Sequence, residues 1–276
     1  MSSATILLAV FNRGLVSPLA LARADIQRIG MSAETQVNWM PKTLGPMMLR
    51  PGMAYKIATA SNAQSKNIEF VYSQTDTAWL EITNLVMRPI VSEAVITRSS
   101  VASAITNGTF DTDLTGWTDA DETSATSAWV TGGYMSLIGT KYNAAIRRQE
   151  VTVVAADQSV EHAVTVVIER STVTIKIGST SGGAEYFAET ALAAGRYSLR
   201  FTPTGGSFFI QFENRSQYAA YVDSVAVEAS GTLSIVAPWT TSDLDDLRWC
   251  QSGDVIFVAS AGDQQRKIMR LTSDSR

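Results

Sequence analysis

The pattern of apolar and polar positions changes texture twice along these 276 residues. Residues 1–60 hold no sustained period. A loose helical face, Leu19, Leu21, Ala22, Ile26 and Ile29, follows Ser17-Pro18 and predicts a short helix ended by Gly30. A second helical piece is expected over 32–39, with Ser32 as N-cap and a stop before Pro41. The stretch LGPMMLRPGM at 44–53 then reads as a stiff linker, held extended by Pro46 and Pro51. Met47, Met48, Leu49 and Met53 are flexible apolar groups suited to packing against the rest of the chain or a neighbouring subunit. Arg50 is the candidate for an intersubunit or backbone-carbonyl contact.

From residue 67 the apolar pattern becomes that of strands, expected over 67–72, 77–83, 86–90 and 94–98, with turns at Asn84 and Ser92-Glu93. Small polar residues near Ser99 mark a boundary. Beyond it, β-rich runs recur at 129–130, 134–138, 144–154, 161–169, 173–177, 197–201, 208–212 and 221–228, punctuated by Gly132-Gly133, Gly182-Gly183 and Gly205-Gly206. This rhythm predicts a β-sandwich or jelly roll. After 228 the character of the first segment returns. Strands are expected over 233–236, 255–260 and 267–271, another begins at 248–250, and Ser242-Asp243 cap one helical turn through Leu247. The simplest organisation is mainly β: a discontinuous host domain, 1–105 plus 229–276, of β-propeller-like or meander type, with a jelly roll inserted at 106–228. Such an insertion costs the host little, because loop-closure entropy grows slowly with length.

A hydrophobic content of 45% suffices for a packed core and excludes a disordered chain. The net charge of -4 hides an asymmetry: residues 106–228 carry 8 Lys and Arg against 14 Asp and Glu, whereas the flanks are slightly basic. Neither part has the cationic excess of a dedicated nucleic-acid binder. The single cysteine, Cys250, excludes an intrachain disulfide and a multi-thiolate metal site, and reads as a buried small apolar thiol. The apolar run at 6–11 is too short to span a membrane and lacks a basic leader, so neither a span nor a signal peptide is expected, and synthesis belongs to a cytoplasm-like compartment.

Little in the sequence points to catalysis. The one histidine, His162, shares an alternating face with Val164, Val166 and Ile168 and is expected to pack in the sandwich. No nucleophile elbow, Cys–His pair or phosphate loop accompanies it, so no enzyme is expected. Asp111, Asp113, Gly116 and Glu122 match the spacing of a calcium loop, but the flanks are not helical. Asp111 with Asp223 is the alternative calcium candidate, of the jelly-roll kind, and no other cofactor is expected. Asp243, Asp245 and Asp246 suit a helix start, where carboxylates meet free N–H groups. Trp117, Trp129, Tyr134 and Tyr142 are candidates for a sugar-stacking face, with core packing as the other reading.

Two resemblances sharpen these expectations. Asn107-Gly108-Thr109-Phe110, then Leu114-Thr115-Gly116-Trp117, and later Tyr221-Val222-Asp223-Ser224-Val225 resemble the opening and closing phrases of galactose-binding-like jelly rolls, which include carbohydrate-binding modules. The flanks carry an ordered series: Phe11-Asn12-Arg13-Gly14, Ser17-Pro18, Ala22-Arg23-Ala24-Asp25, Asn38-Trp39-Met40-Pro41 and Leu49-Arg50-Pro51-Gly52 before the insert. Pro238-Trp239-Thr240, Asp243-Leu244, Leu247-Arg248 and Gln251-Ser252-Gly253-Asp254-Val255 follow it. The series resembles tail tubular protein B, the nozzle of short-tailed bacteriophages, whose members are longer than this chain. That resemblance implies a structural virion protein, assembled in the host cytoplasm as a homohexameric ring docked on the head–tail adaptor, with DNA passing through without sequence-specific binding. The alternative function is a carbohydrate-binding virion module for adsorption to host-surface glycan.

Overall fold

The computed structural model describes residues 13–20, 22, 23, 25–42 and 47–270, and the chain divides into two compact units, Met1–Lys56 and Ile57–Arg276. The apolar run at 6–11, Asn12, Leu21, Ala24, Leu44 to Pro46 and Leu271 lie outside the described residues.

In the first unit neither predicted helix forms. Pro18–Ala20 and Ile29–Met31 are single 3-10 turns, and Gly30 lies inside the second instead of ending a helix. The amides of Ala20, Arg23, Ile26 and Ile29 donate to carbonyls three residues back, not four. A short helix depends on burying its apolar face, and here Leu19 stands 93% exposed. Residues 32–38 are irregular bends with one isolated β-bridge at Ala33; Trp39–Met40 (β1) pairs antiparallel with Met48–Leu49 (β2), and the Arg50 amide donates to the Asn38 carbonyl at 2.7 Å. The predicted linker is therefore partly a strand. Among the described residues before 57 none is buried, and Leu49 and Met53 are 62% and 93% exposed.

The second unit is mainly β and begins with Lys66–Val71 (β3), Thr77–Thr83 (β4), Val86–Val91 (β5), Ala94–Val95 (β6) and Thr97–Arg98 (β7). The run predicted over 94–98 is thus split in two. Glu81, 2% exposed, is held by Arg88 Nη2 at 2.9 Å to both carboxylate oxygens and accepts from the Ala60 amide at 2.8 Å, which pins the chain before β3 to the sheet.

Ten strands follow: Thr118–Asp119 (β8), Thr126–Val130 (β9), Tyr134–Ile138 (β10), Ala145–Thr152 (β11), His162–Arg170 (β12), Val173–Gly178 (β13), Phe187–Leu192 (β14), Gly195–Phe201 (β15), Ser207–Asn214 (β16) and Ala220–Val227 (β17). They form two five-stranded antiparallel sheets, β15-β12-β17-β10-β9 and β14-β13-β16-β11-β8, with alternating residues of both meeting in one core. Phe208, Ile210, Phe212, Ile175, Val166 and Leu137 are fully enclosed there. The two strands absent from the prediction are β8, only two residues long, and β14, whose FAETAL sequence is poor in β-branched residues.

The opening phrase 107–110 has a packing reason. Gly108 accepts the Val225 amide at 2.8 Å and runs so close to that strand that a Cβ would sit 2.0 Å from the Val225 carbonyl oxygen. Phe110 and Trp117 then turn edge to face into the core, 5.6 Å apart.

Leaving the jelly roll, Gly231–Thr232 (β18) pairs with β7 and Ile235–Val236 (β19) with β5, so the sheet order is β19-β5-β4-β3. Arg248–Ser252 (β20), Val255–Ala259 (β21) and Arg266–Met269 (β22) form a three-stranded sheet. Ile68, Leu80, Ile82, Trp239, Leu247 and Ile256 belong to the core shared by these elements. The Gln251 side chain acts as a short strand partner at the β3 edge, donating to the Val71 carbonyl at 2.6 Å and accepting its amide at 3.1 Å. Cys250 is exposed, contrary to the buried thiol expected, because every residue of β20 faces solvent in part. The predicted cap also shifts: Thr240, not Ser242, is the N-cap of the turn Thr241–Asp243. The Thr240 amide and hydroxyl both donate to Asp243, which holds that carboxyl below its ordinary range. Among the described residues no helix is long and apolar enough to cross a membrane.

Arg98 joins the two parts of this unit. Its Nε donates to Glu228 at 2.7 Å, Nη1 to Glu161 at 3.2 Å and Nη2 to Ser198 at 2.7 Å, with the side chain 3% exposed. Arg98→Ala is expected to lower the unfolding free energy by about 3–5 kcal/mol in chemical denaturation, because Glu228 is left buried beside no cation.

Candidate functional site

The four aromatics expected as a sugar-stacking face are not brought onto one face. Trp117 is 4% exposed, tilted against Phe212 at 5.7 Å, and its Nε1 lies 3.2 Å from the carbonyls of Thr106 and Asn107. Trp129 lies opposite Met135 in the ladder, on the core side, and donates Nε1 to the Phe110 carbonyl at 2.7 Å. Tyr134 points to the other side of β10, stacks on Tyr221 at 5.7 Å, and Arg170 lies over Tyr221 at 5.5 Å. Tyr142, the fourth aromatic, is 79% exposed.

The calcium spacing is also absorbed locally. Asp113 accepts the Thr115 amide at 2.9 Å and the Asn107 side chain at 2.9 Å, and the first of these contacts is the main reason its carboxyl sits below the ordinary range. Asp111 accepts Thr109 and Asp223 accepts Ser224. Among the described residues no three His, Cys, Asp or Glu side chains are grouped to hold a metal ion. His162 is buried, as its face predicts. Its Nδ1 donates to the Val160 carbonyl at 3.0 Å, so the proton sits there and Ser103 donates to Nε2 at 3.0 Å.

The polar chemistry collects elsewhere, on the outer face of β14-β13-β16-β11-β8. Alternation in β16 sends Phe208, Ile210 and Phe212 inward and leaves Gln211 and Glu213 outward, yet these are only 2% and 5% exposed. Cross-strand pairing sets Arg148 and Lys176 on either side of Gln211. Arg148 Nε donates to Gln211 Oε1 at 2.5 Å and its Nη1 to Ser181 at 3.1 Å, while Gln211 Nε2 donates to Glu213 at 2.9 Å. Glu213 also pairs with Lys176 Nζ at 3.5 Å and Arg215 Nε at 3.6 Å, and Lys176 reaches Glu189 at 3.8 Å. At the far end Arg215 Nη1 bonds the carbonyl of exposed Tyr142 at 3.2 Å and pairs with Glu122 at 3.5 Å. The floor of this face is thus a satisfied polar network that fixes the half-buried Arg148 and Lys176 and the exposed Arg215. Sequence reasoning missed these residues. Their alternation with Ile210 and Phe212 was the available signal, but it does not reveal that a loop covers them.

That loop, 179–186, walls the face. A Cβ on Gly182 would lie 3.7 Å from the Arg148 guanidinium, and one on Gly178 would lie 2.3 Å from the Gly183 carbonyl carbon. Glu185 accepts from the Ser179 amide at 3.0 Å, and backbone N–H groups, its own first and then that of Ser179, hold its carboxyl below the ordinary range.

No family model and no curated protein matches this chain. Solved structures similar to it include a CBM4 carbohydrate-binding module, at 17% identity, covering 46% of this chain and 99% of that one with a TM-score of 0.31. Another is an exo-β-1,3-galactanase from Phanerochaete chrysosporium with β-1,3-galactotriose, at 10% identity, covering 59% and 44% of the two chains with a TM-score of 0.28. At TM-scores this low neither likeness assigns a ligand to this chain.

Two outcomes test how the wall is held. Gly178→Ala should displace the 179–186 loop and raise amide exchange there, since backbone blocks the added methyl group. Glu185 has a folded value lowered from 4.5, so its contribution is complete above that pH and is lost as pH falls through the lowered folded value. The protection of the loop amides, taken relative to the intrinsic exchange rate at each pH, should therefore fall on acidification below pH 4.5 and lose that step in Glu185→Gln.

Proposed function

We propose that this chain is a non-catalytic binding protein whose jelly roll recognises a neutral glycan for adsorption to a host surface. The observation that carries this reading is the fixed polar network Arg148–Gln211–Glu213 with Lys176 and Arg215 on one sheet face. Sugars are bound by polar groups held in place before the ligand arrives, with an aromatic ring nearby, and Tyr142 stands exposed beside Arg215. Arg148, Lys176 and Arg215 are balanced by Glu213, Glu189 and Glu122. An uncharged oligosaccharide fits that balance better than a polyanion, which the acidic jelly roll would also repel.

A second reading, a ring subunit of a phage tail, has its own observation. The ordered series on the flanks coincides with a first unit whose described residues bury nothing, although Leu15, Leu19, Leu49, Met53 and Tyr55 are more than half exposed. Under this reading Met47, Met48, Leu49, Arg50 and Met53 dock onto a neighbouring copy or the adaptor, and the ring conducts DNA. The two readings are compatible in one virion protein.

A glycan array probed with the full chain should give binding to neutral oligosaccharides that falls at least about tenfold in Arg148→Ala and Arg215→Ala, with Trp117→Ala losing stability instead. Binding limited to anionic glycans, or unaffected by both arginine changes, would exclude this face. Mass photometry of the chain decides the second reading: a stable monomer with no virion association removes it.

A further inference from the structure

The host sheet, the edge of the jelly roll and the three-stranded sheet border a half-open cavity of about 620 Å³, lined wholly by residues of the Ile57–Arg276 unit. Its walls include Phe70, Leu80, Met87, Leu233, Ile268 and Trp239. Three of the strands that line it, β15, β19 and β22, each end a sheet and, among the described residues, pair on one side only. A strand edge of this kind carries unpaired backbone N–H and C=O groups and accepts an added strand. The charged lining residues are Arg196, Arg266, Lys267 and Arg270 against Asp76 alone, with Asp76 already bonded to Arg270. Trp239, 2% exposed, closes the inner wall.

We propose that this cavity takes an extended segment of a partner protein as an added β-strand, with apolar side chains alternating with acidic ones. The apolar residues fill the walls, the acidic ones meet the cationic rim, and the backbone pairs with an open edge. A strand of about five or six residues, roughly 17–20 Å long, is the usual size of such an element. A single-tailed fatty acid would use the walls and the cations but would leave the strand edges unpaired.

The test is fluorescence anisotropy of a labelled seven-residue peptide alternating leucine or valine with glutamate, titrated with the full chain, and hydrogen exchange on the complex. The expected result is saturable binding, slowed exchange in β15 or β22, and at least about tenfold weaker binding in Arg266→Glu, an exposed position where circular dichroism checks the fold. The same peptide methylated on alternate backbone nitrogens should lose binding to a similar degree. Equal binding of the methylated peptide, indifference to Arg266→Glu, or binding of dodecanoate where the peptide fails would overturn the proposal. Glycan binding on the jelly-roll face is read separately and does not enter this outcome.

Discussion

The buried cation of Arg98 is the constraint on which the second unit depends. It stands on the strand that leads into the jelly roll and bonds Glu228, the residue just past β17, as well as Glu161 and Ser198. A guanidinium with almost no exposure needs all of these partners, so its position fixes four segments at once. The neighbouring ladder between β7 and β18, where Gly231 lies opposite Arg98, closes the same junction with backbone bonds. From this junction follow the placement of β15 beside the β19-β5-β4-β3 sheet and the cavity that the two border.

The jelly roll itself divides its work between its faces. Its interior is apolar and closely packed, with both tryptophans donating to nearby carbonyls and the histidine bonded to the Val160 carbonyl and the Ser103 hydroxyl. One outer face carries a tyrosine pair under an arginine, and the other carries a charged network walled on one side by the 179–186 loop. Burying Gln211 and Glu213 on an outward face is costly unless every polar atom is used, and here Arg148, Lys176 and Arg215 supply the partners. Such an arrangement holds the cationic heads in fixed places, which recognition of a small rigid ligand requires.

Strand alternation and turn residues made much of this legible in the sequence. The 77–83 and 134–138 strands and the packed face of His162 follow directly from period-two patterning. The helices expected before residue 40 do not form, because periodicity suggests a face without saying whether anything is there to cover it, and Leu19 has nothing. Cys250 misled for the same reason: a small apolar residue in a strand is buried only if its strand is. The aromatic residues could not be assigned to faces, since Trp117 lies before β8, where no alternation assigns a side. The polar network depends on cross-strand register among β11, β13 and β16, whose residues lie far apart in sequence, and a single sequence carries no register between distant strands.

The central claim is that the face floored by Gln211 and Glu213 receives a neutral sugar. Hydrogen–deuterium exchange of the full chain at saturating oligosaccharide tests it most directly. The account predicts slowed exchange in β11, β13, β16 and the 179–186 loop, with the Tyr134–Tyr221 face unchanged. Protection confined to that tyrosine face, or no protection at saturation, would contradict it.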